Sequence, residues 1–240
     1  MIGQIPITIK AFFAADGDLQ KFAKSGENSF ADLGIDANLY LFLILLSFIV
    51  PLALFILTVR GIHKKKITWI VTSRKKIDWS RLFFGVLIWG MLTILFLGSD
   101  IILSPEKYVW NFKPIPFFTL CFVAIFFIPL QTSLEELLFR GYYMQGLALW
   151  IKNKWAPLII MSVVFGLLHG MNPEIEKLGY IALVFYIGTG FFFGIVTLMD
   201  EGTELAMGMH AINNILAALF VTTDWTVFQT DALLPQERLH

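Results

Sequence analysis

Three short patterns in this chain have the residue types and spacing for chemistry: Glu135-Glu136-x-x-x-Arg140, Phe165-x-x-x-His169 and His210-x-x-x-Asn214. On a helix, residues four apart share a face, so Glu136 lies over Arg140 while Glu135 is turned about 100° away. A Glu136–Arg140 pair neutralises two charges and leaves Glu135 as the acid free to take a proton. His210 and Asn214 also share a face. An imidazole N–H and an amide N–H on successive turns are two donors that can converge on one developing oxyanion, as acyl-transfer chemistry requires.

The surroundings sharpen this reading. The chain has 240 residues, 57% hydrophobic and 15% charged, with a mean hydropathy of +0.73, and apolar runs recur from Leu39 almost to Val221. Such a composition describes a polytopic helical membrane protein with one membrane domain and excludes a soluble domain burying a single core. An ionisable group at membrane depth costs at least a few kcal/mol on insertion scales, so a cluster of them reads as a functional site. Singly, each residue has a plainer explanation. A lone intramembrane His can simply bond to a neighbouring helix, and an acidic pair at a helix start is favoured by the dipole. Asn213, next to Asn214, is a polar residue that needs no role. The set stands out because an acid, two imidazoles and an amide occupy three separate spans with little else ionisable.

The elements that must position them follow from the apolar runs. Residues 1–38 read as an amphipathic segment with a polar connection at the outer surface. Residues 39–115 hold two spans, about Tyr40–Val59 and Leu82–Leu103, joined by a basic loop at 60–81. Within that loop, ITWIVTS (67–73) suits the interface, held by Trp69 and Trp79. Residues 116–221 form the candidate catalytic core, and 222–240 a polar tail leaving the membrane. In the core, Phe117–Trp150 is apolar for about 34 residues, too long for one crossing of a ~30 Å hydrocarbon layer. Pro129 and Gln131-Thr132-Ser133 predict a break, with two shorter helices meeting just before Glu135. Further spans are expected at about Trp155–Met171, Gly179–Met199 and Leu205–Val221. The Gly166/Gly170 and Gly190/Gly194 pairs allow close backbone approach. The expected fold class is all-α, with six or seven transmembrane helices around a polar intramembrane cavity.

Eight of the 18 Lys and Arg residues fall between Arg60 and Arg81. A basic block between two spans places that loop in the cytoplasm and the N-terminus outside, in an integral membrane protein expected in a bacterial inner membrane. A nucleic-acid partner is not expected, because a basic patch confined between two spans reads as an orientation signal. The single cysteine, Cys121, can form no internal disulfide and supplies no thiolate metal site. The opening MIGQIPITIK lacks the basic and apolar regions of a cleavable signal peptide, so the first span is expected to act as its own insertion signal.

Written out, the motifs are EELLFRG, FGLLH and HAINN, in that order, with one span between the second and third. Together they resemble the CPBP family of intramembrane proteases, also called the Abi family, which includes the CAAX prenyl proteases and bacteriocin-immunity relatives. The resemblance covers about Phe117–Val221. It implies peptide-bond hydrolysis within or at the membrane, on a membrane-associated peptide or protein, with the lipid bilayer as the other partner. Glu135 with His169 would activate a water, and His210 with Asn214 would stabilise the oxyanion. Glu136, Arg140 and Phe165 would support them. Many relatives carry another span after the third motif, and none is read here beyond Thr222. Glu135, His169 and His210 are also acceptable zinc ligands. Without a HExxH helix, three ligands spread over three spans are few for a tight site, so no cofactor is favoured and zinc is the alternative. The rival reading is a non-catalytic scaffold or bacteriocin-immunity-type protein of the same fold, in which alanine at Glu135 would leave the biological activity intact. A proton-coupled transporter would be favoured by inverted repeats, which the two halves do not show.

Overall fold

The expected apolar runs become helices in the computed structural model, which describes residues 2–26, 30–223 and 225–236. In chain order these are α1 (Ile5–Ala14), α2 (Leu19–Gly26), α3 (Ala37–Leu57), α4 (Thr68–Val71), α5 (Trp79–Leu103), α6 (Pro114–Glu136), α7 (Met144–Ile151), α8 (Trp155–Leu168), α9 (Pro173–Leu178), α10 (Tyr180–Asp200) and α11 (Glu204–Phe220). Among the described residues there is no strand, only isolated bridges. The chain is an all-α polytopic membrane protein. Among the described residues, four continuous helices are long and apolar enough to cross a membrane: Ala37–Ile62, Trp79–Leu103, Pro114–Ile151 and Tyr180–Asp200. The shorter α8 and α11, of 14 and 17 residues, complete the bundle.

The expected break before Glu135 is absent. One helix runs from Pro114 to Ile151, 38 residues, or about 57 Å at 1.5 Å per residue. Pro129 lies inside this helix without ending it, and the Thr132 hydroxyl donates to the Ile128 carbonyl at 3.1 Å. The irregularity comes later, as a π-helical segment at Leu137–Tyr143 immediately after Glu136. Such wider turns concentrate at functional sites. Gly141 sits in this segment, where a Cβ would lie 2.8 Å from the Ile70 carbonyl oxygen. Its bareness lets α4 dock, so Ile70 and Val71 are buried. Trp69 and Trp79 do stay exposed.

Small residues also set the other close pairs. A Cβ on Gly190 would stand 2.9 Å from the Ser162 carbonyl oxygen, and one on Gly166 would stand 2.9 Å from the Ile187 nitrogen, which brings α8 against α10. Gly208 of α11 faces the Leu82 carbonyl of α5 and Gly85 faces that of Leu205, both closer than any Cβ permits. A largely aliphatic cluster, including Leu41, Leu45, Leu120, Ile128 and Leu219, joins α3, α6 and α11.

The described part of the tail, 222–223 and 225–236, packs on the bundle, and 237–240 lie outside the described residues. Leu233 and Leu234 donate to the Leu219 and Phe220 carbonyls, and Asn111 and Val109 donate to the Leu233 and Pro235 carbonyls. Buried Asn38, at the start of α3, bonds both the Pro116 carbonyl, at 2.9 Å, and Asp231, at 3.1 Å. The segment is a strap across one end of the helices. Its backbone groups find acceptors and donors in the chain instead of water.

Candidate active site

Glu135 and Glu136 close α6, and the turn between them separates their environments as the helical spacing predicts. Glu136 is fully buried, and its Oε1 accepts from Arg140 Nη1 at 2.9 Å and from His210 Nδ1 at 2.8 Å. Arg140, 3% exposed, also donates from Nη2 to the Gly190 carbonyl at 3.1 Å. Its guanidinium lies 4.5 Å from the centre of the Phe165 ring. Thus α6, the π segment, α8, α10 and α11 meet around one ion pair. Glu135 points elsewhere. Its Oε1 accepts from Gln131 Nε2 at 2.5 Å, while its Oε2 has no hydrogen-bond partner and lies 3.7 Å from His210 Nε2.

His210 is therefore held between the two carboxylates, with its ring stacked on Phe193 at 5.2 Å. A carboxylate on Nδ1 fixes the ring plane and presents Nε2 to Glu135 and the cavity. His169 caps the end of α8. Its Nδ1 bonds the Phe165 carbonyl at 2.7 Å, and its ring stacks on Tyr186 at 4.5 Å. The Tyr186 hydroxyl accepts from Asn172 Nδ2 at 3.1 Å. Asn214 accepts at Oδ1 from Asn213 Nδ2 at 3.2 Å, which leaves its own Nδ2 as a donor.

Glu135, His169, His210 and Asn214 line one cavity of about 580 Å³. Glu136 and Arg140 lie behind its wall, and Phe165 is part of that wall. The expected Glu135–His169 pairing takes a different form: both side chains face the cavity, but the imidazole beside the Glu135 carboxylate is that of His210. Of the three candidate zinc ligands, Glu135 and His210 come together. Among the described residues no group of three His, Cys, Asp or Glu side chains converges to hold a metal.

Several cavity residues were not singled out from sequence. Asn213 accepts from Trp89 Nε1 at 3.1 Å and donates to Asn214, and so ties α5 to the Asn214 amide. Gln131, taken as part of a helix break, orients Glu135; its place one helical turn ahead was the signal for it. Asn172, Glu174 and Tyr186 lie on α9, α10 and their approach, outside the three motifs. The strap supplies Thr226, Val227 and Phe228 to the wall, fastened by the Val227 N–H donating to Glu174 Oε1 at 2.8 Å. No local pattern announces a tail that returns to the site.

Residues 114–216, the stretch that carries this constellation, match the family model described as type II CAAX prenyl endopeptidase Rce1-like. The resemblance to the CPBP and CAAX protease-like family is thereby borne out over that stretch. It is 32% identical over 173 residues to "Uncharacterized protein YyaK" of Bacillus subtilis (strain 168), an alignment that covers 72% of this chain and 58% of that protein. The chain thus spans well under two thirds of that relative's length. No solved structure matches it.

Proposed function

We propose that the protein is an intramembrane endopeptidase that hydrolyses a peptide bond of a membrane-associated substrate with an activated water and no metal. The observation that carries this reading is the division of labour between adjacent carboxylates. Glu136 is consumed by Arg140 and His210, whereas Glu135 faces the cavity with one carboxylate oxygen unpartnered. A general base needs such a lone pair within reach of water.

In this scheme Glu135, held by Gln131, takes the proton as water attacks the carbonyl carbon, and His169 on the facing wall orients the water. His210, carrying a proton on each nitrogen with Nδ1–H on Glu136, donates from Nε2–H to the oxyanion of the tetrahedral intermediate, as does Asn214 Nδ2–H. Glu136 keeps His210 oriented, because its bond to Nδ1 leaves only Nε2 to meet the substrate. The proton held by Glu135 then passes to the leaving amine. The walls, which include Trp89, Phe192, Phe193 and Phe228, suit apolar substrate side chains. A peptide presented at or within the bilayer is the substrate class, and a prenylated C-terminal peptide is one member of it.

The test is cleavage of membrane-associated peptides by purified protein with Glu135 intact and as Glu135→Gln. The amide keeps the shape and the Gln131 contact but loses the basic lone pair. Loss of cleavage by at least 10²-fold, the low end of general-base contributions, with unchanged folding is expected. Retained cleavage, or a biological activity indifferent to Glu135→Ala, favours the scaffold or immunity-type reading instead.

A further inference from the structure

A second cavity, of about 760 Å³, opens at the end of the bundle opposite the strap, between the end of α3, α4, the π segment and α10. Its wall includes Lys64, Lys65, Lys66, Arg74, Arg140 and Thr197. The arginines are already committed. Arg74 bonds the Asp200 carbonyl and pairs with Glu204, while Arg140 holds Glu136 and the Gly190 carbonyl. The three consecutive lysines are not: among the described residues none of them pairs with a carboxylate. Lys65 instead lies 5.6 Å from the centre of the Trp69 ring. One acid, Glu201, also lines the cavity, and the Ser73 hydroxyl donates to it at 3.4 Å. Three free ammoniums against one carboxylate leave the cavity cationic.

Trp69 and Trp79, 47% and 60% exposed, flank this end as indoles do at the headgroup level of a bilayer.

We propose that this cavity binds the phosphate of an anionic phospholipid headgroup, with Lys64, Lys65 and Lys66 as counter-charge. Ammoniums bind phosphate as point charges, and a basic pocket between membrane helices is suited to an acidic headgroup. The site is separate from the proposed peptidase cavity. It shares only Arg140 with the ion pair behind that cavity.

The experiment measures lipid binding by native mass spectrometry on full-length protein in neutral detergent, titrated with phosphatidylglycerol, with phosphatidylcholine, and with phosphatidylglycerol in the presence of millimolar inorganic phosphate. The wild type should prefer phosphatidylglycerol. The triple variant Lys64→Gln/Lys65→Gln/Lys66→Gln should bind it on the order of a hundredfold more weakly, at about 1 kcal/mol per lysine. The variant Lys75→Gln/Lys76→Gln removes charge from the same loop outside the cavity and should keep the wild-type affinity. An equal loss there would reduce the feature to surface attraction and overturn the proposal. Displacement by millimolar phosphate would assign the site to free phosphate rather than lipid, and equal binding of phosphatidylcholine would also overturn it.

Discussion

Removing the charge of Glu136 should damage stability far more than removing that of Glu135, although the two are neighbours of the same type. Glu136 is 0% exposed and Arg140 3%, so no solvent screening discounts their interaction. Breaking a buried pair by neutralising one partner strands the other charge and typically costs 3–5 kcal/mol. In Glu136→Gln the guanidinium keeps the Gly190 carbonyl and the Phe165 face, and the new amide oxygen can still accept, so the cost should fall near the lower end, about 3 kcal/mol. Glu135 has a side chain 15% exposed and one partner that an amide can retain, so Glu135→Gln should stay within about 1 kcal/mol of the wild type. Equilibrium unfolding of purified protein in mild detergent, followed by tryptophan fluorescence, measures both. The double variant Glu136→Gln/Arg140→Met, which removes both charges, should recover most of the loss, because an apolar replacement of a whole buried pair is often neutral. A Glu136→Gln protein as stable as the wild type, or a Glu135→Gln protein that is the less stable of the two, would refute the assignment of support and base.

Peptidase activity should survive dialysis against strong chelators. Complete loss, reversed by stoichiometric zinc, would recast Glu135, His169 and His210 as metal ligands. Gly208→Ala should prevent α5 and α11 from closing, because its Cβ would meet the Leu82 carbonyl oxygen; overpacking costs typically 1–3 kcal/mol or more, seen as a lowered unfolding midpoint, and wild-type stability would show that the helices are not that close. In the strap, burial pushes the Asp231 carboxyl above its ordinary range, Asp36 adds to this and Lys113 opposes it. An acid whose folded pKa is raised penalises the fold when ionised, so the penalty is present above that value and is relieved as pH falls towards the unfolded value of about 3.9. Asp231→Asn should therefore slow proteolysis of the strap at neutral pH and have no effect near pH 4; equal effects at both would remove the electrostatic explanation.

Local pattern determined which residues are polar at membrane depth, how Glu135 and Glu136 differ, and roughly where the helices run, because helical period and apolar run length are properties of short segments. The 34-residue apolar stretch could not reveal its own continuity. Whether Pro129 breaks a helix depends on what the helix packs against, and here α3 and α11 hold it in place through a shared cluster that includes Leu120 and Ile128. Spacing likewise paired Glu136 with Arg140, four residues apart, but could not add His210, 74 residues away, whose Nδ1 shares the same carboxylate oxygen. Nor could it return Thr226–Phe228 to the cavity, since those contacts run through the Glu174 carboxylate and backbone groups that every sequence possesses. Residue chemistry and helix period were written in the sequence. The partner that each buried charge finds was decided only when helices distant in the chain packed against one another, because leaving such a charge unpaired costs more than any local preference can offset.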